Sequence, residues 1–136
     1  MATDFKQTYS IEAPVERVWA ELTSSGTPRG WLYDTIATSD WQPGSRYEML
    51  TEDGFLMIDG EVLESDAPNR LHLGFGCHWD AEVDAEEPGT LSYDLRSIGD
   101  ATELTVTSAD LGPATRASAE ESNDEIYAGL KAQLES

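Results

Sequence analysis

Apolar and polar positions alternate along the centre of the chain in a pattern that predicts a β-hairpin. Residues 55–64 are rich in apolar side chains, and residues 70–75 place leucine or phenylalanine at every second position, as strands with one buried face do. The segment between them, Ser-Asp-Ala-Pro-Asn at 65–69, favours a reversal because proline and asparagine suit turn conformations. Since an isolated hairpin is only marginally stable in water, we expect other strands and a helix to cover it.

The same alternation predicts further strands on both sides of the hairpin. They lie at residues 4–13, 35–41, 46–51, 91–96 and 101–111. Turn sequences such as Asp53-Gly54 and Gly99-Asp100 separate neighbouring strands, and glycine there supplies the backbone freedom of a tight turn. Together with the hairpin, the pattern predicts an antiparallel sheet of about six to seven strands.

Two segments have helical rather than strand spacing. Pro14 suits the first position of a helix, and apolar residues at i, i+3, i+4 and i+7 then continue it to about Thr23. Residues 24–30 contain two glycines and a proline, which predicts a loop or a broken second helix. Residues 114–135 contain no proline and carry an apolar stripe towards their end, which predicts a long C-terminal helix.

These elements predict an α+β fold in which antiparallel strands lie between helices at the two ends of the chain. The long helix is the expected cover for the buried face of the sheet. We find no repeat and no linker in the sequence, so we expect a single domain over residues 1–136. The acidic residues 79–89 lack the glycine and distal glutamate of a calcium-binding EF-hand loop, and we expect them to form a solvated loop.

The charge of the chain limits the partners that it can have. Twenty-seven acidic residues against eight basic ones give a net charge of −19, which repels nucleic-acid phosphates and anionic membranes. We therefore expect neither nucleic-acid nor membrane binding. The surplus of acid over lysine suits either a salt-rich cytoplasm or an ordinary solvated surface. The N-terminal residues lack the apolar core of a signal peptide, so a cytoplasmic location is expected.

Several short motifs, taken in order, resemble those of a known superfamily. They are Ala-Pro-Val-Glu-Arg-Val-Trp at 13–19, the turn and strand at 41–48, the hairpin at 60–71, Ala-Thr-Glu-Leu-Thr-Val at 101–106, and the helix end at 130–135. Together they resemble the START-like superfamily, also called SRPBCC or birch-pollen-allergen-like. The branch that the chain is most similar to is the bacterial one named after the activator of the heat-shock-protein-90 ATPase. One departure lies in the last helix, where this chain has Ser122-Asn123 in place of the family's frequent Gly-Trp.

The resemblance implies a helix-grip fold, in which a curved antiparallel sheet surrounds the C-terminal helix and a cavity lies between them. It also implies binding of a small hydrophobic or amphipathic molecule in that cavity, with no cofactor. Two alternatives follow from the same resemblance: an enzyme of the cyclase or hydrolase type, or a module that interacts with a chaperone. The sequence assigns no catalytic residue, identifies no ligand, and favours binding over catalysis.

Large apolar and aromatic side chains on the inner faces of the sheet and helix are the candidate ligand-binding residues. Aromatic and methionine side chains provide a large and adaptable contact area for an apolar molecule. The alternative for each of them is ordinary core packing. The candidates are Trp31, Trp41, Met49, Met57, Phe75, Trp79, Tyr93, Tyr127 and Leu130.

Five residues invite a catalytic or metal-binding interpretation. Adjacent residues of a strand face opposite sides, so Cys77 and His78 are not expected to form a nucleophile–base pair. With only His72 added, too few ligands converge for zinc, and we expect no metal. Cys77 is the only cysteine and is expected to be buried. Asp59 and Glu61 are expected to face solvent, unless their strand turns them into the cavity, where burial would raise their pKa values.

Overall fold

The computed structural model describes residues 5–135, which form eight strands and three helices. Asp4, the predicted start of the first strand, lies outside the described residues. The elements are β1 (Phe5–Ile11), α1 (Val15–Leu22), β2 (Pro28–Arg29), β3 (Thr35–Thr38), β4 (Arg46–Leu50), β5 (Leu56–Asp66), β6 (Arg70–Cys77), α2 (Ala81–Asp84), β7 (Gly89–Ile98), β8 (Ala101–Ala109) and α3 (Pro113–Glu135).

The strands form one antiparallel sheet in the order β1-β8-β7-β6-β5-β4-β3-β2. On α3, Tyr127 contacts Tyr9 of the edge strand β1, Tyr93 of the central strand β7, and Trp31, which follows β2 at the opposite edge. One side chain reaches both edges because the sheet curls around the helix. The arrangement is the predicted α+β helix-grip fold, and apolar residues of the sheet, α1 and α3 share a single core.

The strand count of six to seven was too low, and of the two alternatives for residues 24–30 the structure shows a loop with a short strand, β2, and not a broken second helix. Within the described residues only α1 lies between β1 and β3, because residues 28–29 pair with residues 35–36 as the additional strand β2. Gly26 has a φ of 80° and its N–H donates to the Ala37 carbonyl. Tyr33 and Asp34 both adopt left-handed backbone angles and make a tight reversal that leaves no room for a helix. Pro28 is tolerated because the strand lies at the edge of the sheet.

The acidic segment at residues 79–89 is more structured than the predicted solvated loop. Asp80 accepts a hydrogen bond from the Val83 N–H at 2.9 Å and thereby caps α2, while Val83 is buried. Glu86 accepts hydrogen bonds from the Ala114 and Thr115 N–H groups, each at 2.8 Å. Two of the acids therefore satisfy backbone donors at the beginnings of α2 and α3.

The central hairpin lies where the sequence predicts it, and its pairing contains one irregularity. The register of β5 and β6 shifts between Val62 and Glu64. Gly60 allows a close approach, since a side chain there would collide with the backbone of Gly74. Tyr47 uses this approach to donate a 2.6 Å hydrogen bond to the Gly74 carbonyl.

None of the helices formed by residues 5–135 is both long enough and apolar enough to cross a membrane.

Candidate functional site

A cavity of about 290 Å³ lies between the curved sheet and α3. Strands β4 to β8 contribute one wall, α3 contributes the facing wall, and residues 32–33 contribute part of the rim. Tyr33 is 57% exposed, whereas Tyr93 and Tyr127 are each only 4% exposed. The cavity therefore extends from the surface into the core, and Tyr93 and Tyr127 belong to its buried end.

The structure brings six of the nine candidate ligand-binding residues to this cavity. They are Met49, Met57, Phe75, Trp79, Tyr93 and Tyr127. Met49 and Tyr47 share one face of β4, and the same alternation places Leu91 beside Tyr93 on β7. The lining is mostly apolar, and the sheet supplies most of its large side chains, with Trp79 added by the segment between β6 and α2.

The other three candidates do not line the cavity. Trp31 donates a 2.8 Å hydrogen bond from Nε1 to Glu21, and Trp41 stacks on Tyr47 with ring centres 5.7 Å apart. Leu130 is fully buried between α3 and the sheet. All three pack in the core next to the cavity.

The sequence interpretation did not identify eleven residues of the lining. They are Leu32, Tyr33, Tyr47, Ile58, Leu91, Ser108, Ser118, Ala119, Ser122, Asn123 and Ile126. The helical ones recur at a spacing of three or four residues, a signal that marks one face of α3. The signal was weak because these side chains, apart from Ile126, are small or polar, which leaves space in front of the helix instead of filling it.

The Ser122-Asn123 departure from the family motif lies on this wall. Both residues line the cavity, and the Asn123 side-chain amide donates a 3.0 Å hydrogen bond to Gln7 on β1. Where a tryptophan would fill space between helix and sheet, this pair leaves part of that volume open.

Arg29 is a charged residue of the core that the sequence interpretation did not single out. It is 1% exposed, and its Nη2 donates hydrogen bonds of 2.9 Å to the carbonyl groups of Leu22 and Ser24. The guanidinium carbon lies 5.5 Å from the ring centre of Trp31 and 5.8 Å from that of Trp41. Within the described part of the chain, its Nε has no partner. Burial lowers the pKa of Arg29, and the nearby tyrosine and Glu21 side chains oppose that shift.

The hydroxyl groups of Tyr93 and Tyr127 form a hydrogen bond of 2.9 Å at the buried end of the cavity. Their rings meet edge to face, with centres 6.1 Å apart. Burial is the main cause that raises the pKa of each hydroxyl, and the positive charge of Arg29 opposes the rise. Both hydroxyls are therefore protonated at neutral pH.

The residues considered for acid–base or metal chemistry lie outside the cavity lining. His78 is bonded to Asp59 through Nε2 at 2.8 Å and to Asp84 through Nδ1 at 2.6 Å, and these bonds raise the pKa of His78. Asp59 also pairs with Arg46 and is half-buried, whereas Glu61 is exposed.

Neither Cys77 nor His72 contributes to the cavity. Cys77 is buried, and burial raises the pKa of its thiol. His72 is half-buried on β6, outside the lining. Over residues 5–135, no group of three or more histidine, cysteine, aspartate or glutamate side chains is placed to hold a metal ion.

Solved structures of other proteins share this fold at low sequence identity. Protein MLL2253 from Mesorhizobium loti matches with a TM-score of 0.80 and 19% identity over 97% of this chain and 96% of its own. The solution structure of the Aha1 dimer from Colwellia psychrerythraea matches with a TM-score of 0.76 and 15% sequence identity, over 97% of this chain and 96% of its own. PFC0360w, an HSP90 activator from Plasmodium falciparum, matches with a TM-score of 0.65 and 19% sequence identity, over 80% of this chain and 74% of its own.

At the level of sequence, a family model covers nearly all of the chain. The family described as "Activator of Hsp90 ATPase homolog 1-like protein" matches residues 12–136. A comparison with the sequences of curated proteins gave no match.

Proposed function

The chain belongs to the family of Activator of Hsp90 ATPase homolog 1-like proteins, and from this premise we propose that it binds a small apolar or amphipathic molecule in the cavity between the sheet and α3. Family membership and fold do not by themselves fix a function. The observation that carries the proposal is the cavity itself.

The size of the cavity separates it from a packing defect. Protein interiors are close-packed and contain few voids larger than a water molecule, and a dry cavity of roughly 150 Å³ already accommodates benzene. The volume here is about 290 Å³, close to the lower end of the range of small-molecule sites, roughly 300 Å³. The mixture of methionine, aromatic and aliphatic side chains gives the adaptable apolar surface that such a ligand needs.

The proposal assigns binding and no reaction. Asp59, Glu61 and His72, the residues that a cyclase or hydrolase mechanism would need inside the cavity, are not part of its lining. The described lining contains no carboxylate and no imidazole. Its ionisable side chains are those of Tyr33, Tyr47, Tyr93 and Tyr127.

Native mass spectrometry of the protein after incubation with a small-molecule cell extract tests the proposal. We expect an added mass that disappears on denaturation. Ala119 lines the cavity and Ala117 faces solvent on the same helix. Ala119→Phe should therefore abolish the added mass, whereas the matched variant Ala117→Phe should retain it. Equal added mass in both variants, or none in the unsubstituted protein, would contradict binding in this cavity.

A chaperone-binding module is the second candidate function. The family description favours it, as do the two structural neighbours whose names refer to Aha1 or to HSP90 activation. The net charge of −19 offers a complement to a basic surface on the partner. The direct test is whether the purified protein increases the ATPase rate of purified Hsp90, with heat-unfolded protein as the control. An unchanged rate would remove this candidate and leave ligand binding unaffected.

A further inference from the structure

We propose that the buried end of the cavity recognises a carbonyl oxygen of the ligand, through a hydrogen bond from the paired hydroxyl groups of Tyr93 and Tyr127. The inference rests on the proposed ligand-binding function and narrows the ligand class to apolar molecules that carry a ketone, ester or similar carbonyl group.

The hydroxyl pair has one more proton than its own hydrogen bond uses. Two neutral tyrosine hydroxyls carry two protons, and their mutual hydrogen bond of 2.9 Å uses only one of them. Neither hydroxyl has a second hydrogen-bonding partner among residues 5–135. The remaining proton belongs to the hydroxyl that accepts the mutual bond, and both tyrosines line the cavity. The pair can therefore donate one hydrogen bond to a bound molecule while keeping its own.

The positive charge of Arg29 acts on the hydroxyl pair. Arg29 is not part of the lining, and its guanidinium group contacts the rings of Trp31 and Trp41. Since Arg29 is 1% exposed, water does not screen this charge as it would at the surface. A buried positive charge favours oxygen atoms with partial negative charge nearby, and it strengthens hydrogen bonds that the tyrosines donate.

Charged ligand groups do not fit the buried end of the cavity. No carboxylate lines the described cavity to compensate a ligand cation. A ligand anion would meet the overall charge of −19 on approach. Inside, the described lining offers an anion no cationic side chain, because Arg29 is not part of it. A neutral acceptor oxygen satisfies the spare proton without introducing an unpaired charge into the core.

The experiment compares two probes of nearly equal shape, 2-acetylnaphthalene and 2-ethylnaphthalene. Only the first has a carbonyl group. The readout is the ratio of their two affinities, measured by calorimetric titration, because the ratio removes the difference in overall hydrophobicity between variants. Replacing both tyrosines together, as Tyr93→Phe/Tyr127→Phe, leaves no unpaired hydroxyl and is expected to be tolerated by the fold. Tyr9→Phe, which removes a hydroxyl that donates to Asp124 outside the cavity lining, is the matched control.

We expect the preference for the ketone to fall by roughly three- to tenfold in the double variant, the effect of one lost hydrogen bond. Tyr9→Phe should leave the ratio unchanged. The carbonyl stretching frequency of bound 2-acetylnaphthalene should also be lower in the unsubstituted protein than in hexane, and this measurement needs no variant.

The experiment distinguishes failure of carbonyl recognition from failure of ligand binding. If both probes bind but the ratio is the same in the double variant, or the stretching frequency matches that in hexane, the carbonyl site is wrong and apolar binding stands. If neither probe binds the unsubstituted protein, the proposed function is wrong and the inference is overturned with it.

Discussion

At the scale of single residues, Arg29 shows how the core holds a positive charge without a carboxylate in hydrogen-bonding contact. Its two hydrogen bonds go to the carbonyls of Leu22 and Ser24, at the C-terminal end of α1. Carbonyl groups at a helix end lack intrahelical partners, and the helix dipole makes that end favourable for a cation. The indole rings of Trp31 and Trp41 add cation–π attraction. Arg29 therefore ties α1 to the edge of the sheet.

We predict that Arg29→Ala lowers the free energy of unfolding by roughly 3 kcal/mol, because it creates a cavity and leaves two buried carbonyls unpaired. Urea-induced unfolding followed by tryptophan fluorescence measures the change. Arg17→Ala is the control, since Arg17 is exposed on α1, and it should unfold as the unsubstituted protein does. Equal effects of the two substitutions would show that the position of Arg29 carries no special stability.

His78 makes the stability of the protein depend on pH. Its hydrogen bonds to Asp59 and Asp84 raise its pKa in the folded state, and Arg46 also faces Asp59. A raised folded pKa means that the protonated form stabilises the fold. This stabilisation is complete below the unfolded pKa of about 6.5 and is lost as the pH rises through the folded pKa.

We therefore predict that the stability difference between the unsubstituted protein and His78→Gln is largest in mildly acidic buffer and decreases as the pH rises above about 6.5. Thermal unfolding from about pH 5.5 to about pH 9, a range that begins below the ordinary histidine pKa and extends well above it, measures the change. His72→Gln is the matched control, since His72 forms no ion pair among the described residues. A stability difference that does not vary with pH would contradict the role of the two ion pairs.

At the scale of elements, Glu86 links the α2 segment to the beginning of α3. Its carboxylate accepts hydrogen bonds from the Ala114 and Thr115 N–H groups and from the Thr115 hydroxyl, at 2.7 to 2.8 Å. The hydrogen bond from the Thr115 side chain contributes most to lowering the pKa of Glu86. A side chain from outside the helix thus takes the place that an N-cap residue usually occupies.

We predict that Glu86→Gln accelerates hydrogen exchange of the Ala114 and Thr115 amides, while amides near Leu130 in the same helix keep their protection. Because the folded pKa of Glu86 is lowered, its stabilisation is present above its unfolded pKa and is lost as the pH falls through the folded value. The effect of the substitution should therefore shrink in acid. Unchanged exchange at both amides near neutral pH would show that the cap is dispensable.

Periodicity predicted the elements that bury one face, and missed those that depend on single contacts. The alternation of β7 and the apolar stripe of α3 were sufficient to place both elements. The two-residue strand β2 is too short to show a period, and it forms because residues 33–34 reverse the chain. The acidic residues around α2 predict a solvated loop when they are considered by charge alone. Charge does not indicate that Asp80 caps a short helix by accepting a hydrogen bond from the Val83 N–H.

The same limit applies to the cavity. Large side chains on strands could be assigned to an inner face, and six of the nine candidates do lie there. Whether such a residue lines open space or fills the core depends on the size of what faces it, which the sequence of one element does not contain. Trp31 was therefore indistinguishable from Trp79, and the small residues of α3 gave no apolar signal.

At the scale of the whole molecule, the charge of −19 is spread over a domain of only 136 residues. Such a surplus of one sign destabilises the compact state through self-repulsion. The residues that balance it locally, such as Arg46 and Arg70, each contact carboxylates. The eight basic residues of the sequence are too few to neutralise the surface.

We predict that the melting temperature rises when KCl is increased from about 0.1 M to 1 M, since the screening length falls from about 10 Å to about 3 Å. Differential scanning calorimetry measures the change. Choline chloride at the same ionic strength is the control, because it screens charge without offering potassium for specific binding. An unchanged or lower melting temperature in both salts would contradict self-repulsion as a limit on stability, and would favour an ordinary solvated acidic surface over adaptation to a salt-rich cytoplasm.

The division of the cavity between two kinds of wall has a consequence for how its selectivity can evolve. The sheet wall consists of large side chains that also hold the core together, so changes there alter folding and recognition at once. On α3, by contrast, Ser118, Ala119 and Ser122 line the cavity with small side chains. Exchanging one of them changes the space for a ligand while the sheet stays as it is. Under the proposed binding function, descendants of such a protein can diversify in what they accept by mutations on one helical face, with little loss of foldability.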